Sequence, residues 1–286
     1  MARPMRSDPI FVEHQGHRTL LKWHRGRRKA SDPEFTPTRI LEAMQLGASV
    51  EVDLVVHGDH GFAILHDLEL DHGTTGSGLV AETSAGTLRQ LYLRGNDGAP
   101  LSDRVMLLED LCDLLNANPA HPEALLQLDY KEDLSRLSPG VIEKFAEAVS
   151  PVATNMILSG GDSAAVAALA AVTPGLRAGY DPTYVGVLDD LRTAEDFSRF
   201  IAAALKKAPD AAMIYLDYEL VLAADAAGMD LIGAVHADKR RVDAWTIRTI
   251  DSTTLAQVRR LLQLRVDQIT TDDPEGLAEA LAEGKS

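Results

Sequence analysis

The chain contains one cysteine, Cys112, so no internal disulfide can staple it. That residue sits in the apolar run LLEDLCDLL and reads as a small buried hydrophobe in a helix rather than a reactive thiol. A chain without disulfides fits a reducing compartment, and a cytoplasmic location is the expectation. Long hydrophobic runs are missing too. No stretch approaches the roughly 20 apolar residues of a membrane-spanning helix, so no stable membrane anchor is expected. The N-terminal MARPMRSDPIFVEHQGHR has basic residues with no apolar stretch behind them and does not read as a secretory signal. Positive charge is scarce: 28 Lys and Arg face 43 Asp and Glu, a net charge of -15. That balance speaks against nucleic acid as a partner, because a phosphate backbone is repelled by an acidic surface. It opposes any anionic substrate at long range, so a site acting on one must gather cations locally.

What is present is ordinary for a folded protein: 286 residues, 45% hydrophobic and 25% charged. This length supports a large core without a structural metal, and residues 1–286 read as a single domain. Short runs rich in Leu, Val and Ile recur at 19–23, 49–55, 124–129, 155–158, 176–179, 213–216, 242–247 and 267–270. Amphipathic helical stretches lie between several of them, at 37–46, 141–149, 163–172, 194–207, 220–227 and 253–262. Strands alternating with helices predict a parallel sheet, and eight of them make an α/β TIM (β/α)8 barrel the natural closure, with an open doubly wound sheet as the alternative. One interval breaks the rhythm. His66 to about His121 is too long for a single helical connection, and the spacing predicts a small insertion after the second strand, at about 67–105, ahead of a helix at 107–115.

In such a barrel the chemistry lies at the C-terminal ends of the strands. The first strand ends in His24-Arg25-Gly26, and the second carries Glu51 and Asp53, which alternation places on one face. His66-Asp67 follows the run FAIL, and the third strand ends with Asp129 and Lys131 on a shared face. The last two end in Trp245-Thr246 and Thr270-Thr271-Asp272. Three carboxylates from neighbouring strands suit a hard divalent cation with oxygen ligands, Mg²⁺ or Ca²⁺. A lone E-x-D pair carries little weight, since a solvated strand edge has the same pattern. The other histidines, His14, His17, His57, His60, His72, His121 and His236, carry no assignment. His17-Arg18 lacks a following glycine and is expected ahead of the strand, so His24 is the preferred reading of the HR motif.

In order along the chain, HRG at 24–26, PEFT at 33–36, GA-x-x-E-x-D at 47–53, HD at 66–67, TTGSG at 74–78, D-x-K at 129–131, VDAWT at 242–246 and VDQITTDDP at 266–274 resemble the glycerophosphodiester phosphodiesterase family. The resemblance runs from His24 to Pro274. It implies a TIM barrel with a small insertion after the second strand, and one divalent cation, for which Mn²⁺ is also suitable. By position, Glu51, Asp53 and Asp129 match metal ligands, and His24 and His66 match an acid/base pair. Arg25 and Lys131 match phosphate contacts, and Trp245 a residue lining the substrate pocket. Three departures stand out: Asp129 replaces a Glu, Phe35 replaces the Asn of a PENT-like turn, and Arg248 replaces an Asn after the Trp-Thr pair.

The expected activity is hydrolysis of a soluble glycerophosphodiester or sugar phosphodiester to an alcohol and a phosphomonoester. One histidine would activate the nucleophile and the other protonate the leaving oxygen. The alternatives are a sphingomyelinase D-like phospholipase that forms a cyclic phosphate, and a catalytically silent phosphodiester-binding protein. Homo-oligomerisation stays open.

Overall fold

Leu-, Ile- and Val-rich runs form the strands, and helices whose apolar stripes face inward wrap them. Residues 9–283 are described in a computed structural model; the first eight residues of the N-terminal stretch discussed above lie outside the described residues. The strands are β1 (Phe11–His14), β2 (His17–Trp23), β3 (Ser49–Val56), β4 (Phe62–Ile64), β5 (Tyr92–Arg94), β6 (Pro100–Arg104), β7 (Leu125–Tyr130), β8 (Met156–Gly160), β9 (Arg177–Tyr180), β10 (Ala211–Asp217), β11 (Arg241–Ile247) and β12 (Gln268–Thr271). Neighbours pair in parallel in the order β2-β12-β11-β10-β9-β8-β7-β3, and β3 pairs back to β2. The result is the closed eight-stranded TIM barrel that the rhythm predicts.

Two strands extend this frame antiparallel. Strand β1 folds back on β2 through Gln15 and Gly16, whose φ values of 48° and 74° form the tight turn. Because β1 recruits it, β2 starts at His17; this histidine lies inside the strand, not ahead of it, and its ring meets the Val266 carbonyl at 3.0 Å. Strand β4 pairs with the end of β3 and delivers the chain to His66. Beyond it, β5 and β6 form a two-stranded sheet of their own, before the helix Leu108–Ala117.

Alternation divides the barrel strands cleanly. Val50, Val52, Leu54, Leu126 and Leu128 point outward to one helix-covered cluster, and Val242, Ala244 and Ile269 to another. The residues between them point into the lumen. There, Leu125, Ile157, Met213 and Tyr215 make a small apolar plug with Trp245 packed against it. Burying each such aliphatic side chain stabilises the fold by about 1.5–3 kcal/mol. Beside the plug the lumen is polar: Lys22, Gln127, Asp243, Gln268 and Thr270 are all buried.

Several aspartates that precede helices are accounted for by local structure. Asp162, Asp217, Asp230 and Asp251 each accept from N–H groups in the first turn of the following helix. Capping by itself explains these carboxylates without invoking chemistry.

Candidate active site

Strand register brings the first group of polar residues together. Asp53 of β3 lies directly opposite Asp129 of β7, and Asp129 opposite Ser159 of β8. Glu51 sits one inward position below Asp53. Carboxylate oxygens of Glu51, Asp53 and Asp129 lie within 4.8 Å of one another. The Lys131 ammonium is 2.7 Å from Asp53 Oδ1 and 2.5 Å from Asp129 Oδ2, and Arg25 Nε is 3.2 Å from Asp53 Oδ2. The Arg25 amide donates to Glu51 Oε2 at 2.8 Å.

These surroundings split the two β3 carboxyls. Burial, reinforced by the charge of Asp53, raises the Glu51 carboxyl well above the usual range. Burial pushes Asp53 the same way, but the Lys131 ammonium, the adjacent Glu51 carboxyl and the Arg25 guanidinium outweigh it and hold Asp53 low. Asp53 is fully buried, and apart from the ion pairs with Lys131 and Arg25 neither of its oxygens has a hydrogen-bond partner among the described residues. Buried acceptors left this way, beside two further carboxylates, fit a small hard cation.

The histidines approach the same mouth from two sides. His24 follows β2 in a single turn, His24–Gly26, in which Arg25 is left-handed at φ 52° and Gly26 at 74°. A non-glycine residue there is strained by about 1–3 kcal/mol. The Arg25 amide bond to Glu51 and its guanidinium bonds to Glu34, at 3.0 and 3.2 Å, hold it in place. Phe35, where the family has Asn, is likewise left-handed at φ 58°; its ring is buried in the core, and its amide donates to the Arg25 carbonyl at 2.8 Å. Core packing thus replaces the tolerance that Asn has for this conformation.

His24 is 7% exposed and its Nδ1 lies 2.5 Å from Asp272 Oδ1. A carboxylate only accepts, so Nδ1 carries the proton and Nε2 is left as the acceptor. Burial lowers the His24 pKa, although Asp272 pulls the other way. His66 stands at the rim, with its side chain 40% exposed and Nδ1 2.7 Å from Asp67 Oδ1. It lines both the mouth and an adjoining cleft bounded by Leu93, Arg94 and Asn96 of the β5–β6 region.

The structure therefore brings every residue singled out in the sequence to one opening: His24, Arg25, Glu51, His66, Asp129, Lys131 and Trp245 line it, and Asp53 lies beneath Lys131. Arg248, the departure after Trp-Thr, lines it too. Other residues there carried no role in the sequence reading. Asp272 was visible as a strand-end carboxylate, but nothing in its spacing ties it to His24, 248 positions away. Lys22, Gln127, Tyr215 and Asp181 also line the mouth. Burial raises the Asp181 carboxyl to about 8. The Tyr215 hydroxyl and the Trp245 indole N–H are buried without a hydrogen-bond partner among the described residues.

Known proteins resemble this chain over nearly its whole length. A curated glycerophosphodiester phosphodiesterase from Caldanaerobacter subterraneus subsp. tengcongensis is 24% identical over 271 residues, covering 93% of this chain and 99% of that protein. A glycerophosphoryl diester phosphodiesterase structure from Parabacteroides distasonis superposes with a TM-score of 0.67 at 17% identity, covering 96% of this chain and 90% of the other. An Oleispira antarctica phosphodiesterase, in complex with the product sn-glycerol-3-phosphate, superposes with a TM-score of 0.65 at 19% identity, covering 92% and 96%. The profile of the Glycerophosphoryl diester phosphodiesterase family matches residues 24–276, nearly the whole chain, which therefore belongs to that family.

Proposed function

We propose that the chain hydrolyses a soluble glycerophosphodiester, in the cytoplasm, by acid/base chemistry of His24 and His66 beside a single divalent cation. The observation that carries this reading is the convergence of Glu51, Asp53 and Asp129 oxygens within 4.8 Å, at a mouth lined by both histidines. Glu51, Asp53 and Asp129 would hold the cation, Mg²⁺ or Ca²⁺, with Mn²⁺ also compatible with oxygen ligands. When bound, it supplies positive charge to the phosphoryl oxygens. Lys131 and Arg25 add the local cations that an acidic chain must gather for an anionic substrate.

His24, kept neutral by burial, takes the proton of the attacking oxygen on Nε2 while Asp272 fixes the proton on Nδ1. The new P–O bond forms as the bond to the leaving alcohol breaks, and His66 gives that alkoxide its proton. The attacking oxygen is that of water, or of a neighbouring glycerol hydroxyl with water opening the resulting ring. Trp245 and Tyr215 offer their buried N–H and O–H groups to the alcohol portions of the substrate. In this reading, residues 67–105 are a small subdomain inserted in a single 1–286 domain, walling one side of the site.

The substrate assignment is tested by ³¹P NMR on glycerophosphocholine, a sugar phosphodiester and a lysophospholipid, each with Mg²⁺, Ca²⁺ or Mn²⁺. Release of sn-glycerol 3-phosphate from the soluble glycerol diester is the expected result. An accumulating cyclic phosphate from the lysophospholipid indicates the sphingomyelinase D-like route, and no turnover of any diester indicates a binding protein.

The assignment of His24 as proton acceptor predicts a pH dependence. Its pKa lies below 6.5, so the neutral form persists below that pH, and the acid limb of kcat/KM falls there. Asp272 raises that pKa against burial, so Asp272→Asn shifts the limb to still lower pH. It also lowers the plateau about 10²-fold, because the tautomer is no longer fixed and the base is weaker. A limb that stays put or moves upward removes Asp272 from this role.

A further inference from the structure

The third carboxylate, Asp129, is one methylene shorter than the Glu that the family resemblance would place there, so its orientation matters more. A directional chain of hydrogen bonds reaches it through the barrel lumen. It begins at Lys22, a fully buried ammonium 3.1 Å from Asp243 Oδ2 and 4.6 Å from the Tyr215 ring centre. Asp243 is held in turn by Thr270 Oγ1, at 2.7 Å, and Gln268 Nε2, at 2.5 Å.

An ammonium can only donate, so the Gln127 oxygen must face Lys22, and the two are hydrogen-bonded. That sets the amide the right way round: Gln127 Nε2 points away from Lys22 and donates to Ser159 Oγ at 2.8 Å. With its oxygen accepting from Gln127, the Ser159 hydroxyl has its single proton free to donate, and Asp129 Oδ1 lies 2.6 Å away. The other Asp129 oxygen is met by Lys131 at 2.5 Å. Each polar atom from Lys22 to Asp129 therefore has a partner in the right sense, and the polarity is set at the Lys22 end.

We infer that the Lys22–Gln127–Ser159 chain is a positioning device for the metal site: it fixes the rotamer of Asp129 so that the shorter carboxylate presents an oxygen beside Glu51 and Asp53. Ser159, Gln127 and Lys22 are positioning residues that act through Asp129. The inference rests on the metal-site reading above. Outer-shell hydrogen bonds of this kind change metal affinity about 10- to 100-fold when removed.

Ser159→Ala deletes one hydroxyl and nothing else from a site that is fully buried. Calorimetric titration of the metal-stripped protein with MnCl₂ reads the effect without turnover. Ser159→Ala is expected to raise the Mn²⁺ dissociation constant about 10-fold or more, with the melting temperature of the metal-free protein within a few degrees of wild type. In an Asp129→Ala background the same change should add less than about twofold, since the residue it acts through is gone. Two results overturn the inference: wild-type affinity in Ser159→Ala, or an equal loss with and without Asp129. A wild-type protein that takes up no Mn²⁺ overturns the metal-site reading as well, which keeps the two failures apart.

Discussion

Asp53→Asn is expected to lower kcat/KM for a glycerophosphodiester about 10³-fold or more, the largest effect of any single substitution here. Asp53 is the most enclosed of the three carboxylates and the one on which both basic residues converge. Asn keeps its shape but removes the charge. A cation at a phosphoryl centre contributes several kcal/mol, and each 1.36 kcal/mol is a factor of ten in rate. The variant should fold, because Glu51 and Asp129 remain near Lys131 and Arg25. With the charge of Asp53 gone, one cause of the raised Glu51 pKa disappears, and Glu51 ionises more readily to balance the cluster. A melting temperature near wild type with activity lost is the expected pattern. Activity within tenfold of wild type would remove Asp53 from the metal site.

His24→Ala and His66→Ala should each lower kcat about 10²-fold or more while leaving Mn²⁺ binding intact. The two variants are expected to differ in other ways. His24 is buried against Asp272, so its loss removes the hydrogen bond to that carboxylate, leaves Asp272 paired with Arg27 at 3.2 Å, and lowers stability. His66 stands half-exposed at the rim and can be removed at little structural cost. A substrate with a better leaving group separates their roles. It should recover much of the rate of His66→Ala, which lacks the acid, and little of that of His24→Ala. Equal recovery in both would reverse or erase the assignment.

How much of this was readable from the sequence depends on the range of the interactions. Barrel strands announce themselves locally, through short apolar runs spaced by helical stretches, and E-x-D spacing by itself places Glu51 and Asp53 on one face. The insertion shows as a break in that rhythm. Strand β1 is hard to read because Phe11–His14 is only four residues long and largely exposed, and gains its regularity by pairing with β2. That pairing also moved His17 into the strand. The helix Leu231–Ala237 escaped because seven residues give too little periodicity. Residues that act by support were harder still. Asp272 meets His24 across the closure of the barrel, and Gln127 meets Ser159 only because β7 and β8 are adjacent. No spacing rule reports such contacts. A buried lysine in a strand is visible as an oddity in LLKW, but its partner Asp243 lies at the far end of the chain.

Turnover by this enzyme should depend on a divalent cation. The protein is stripped with EDTA, dialysed, and assayed by ³¹P NMR on a glycerophosphodiester as MgCl₂, CaCl₂ or MnCl₂ is added back. No detectable hydrolysis is expected from the stripped protein, with activity returning as one cation binds per chain and at least about 10³-fold lower in Asp53→Asn at the same cation concentration. Full hydrolysis by the stripped protein, or equal rescue of Asp53→Asn, would contradict the metal-site reading.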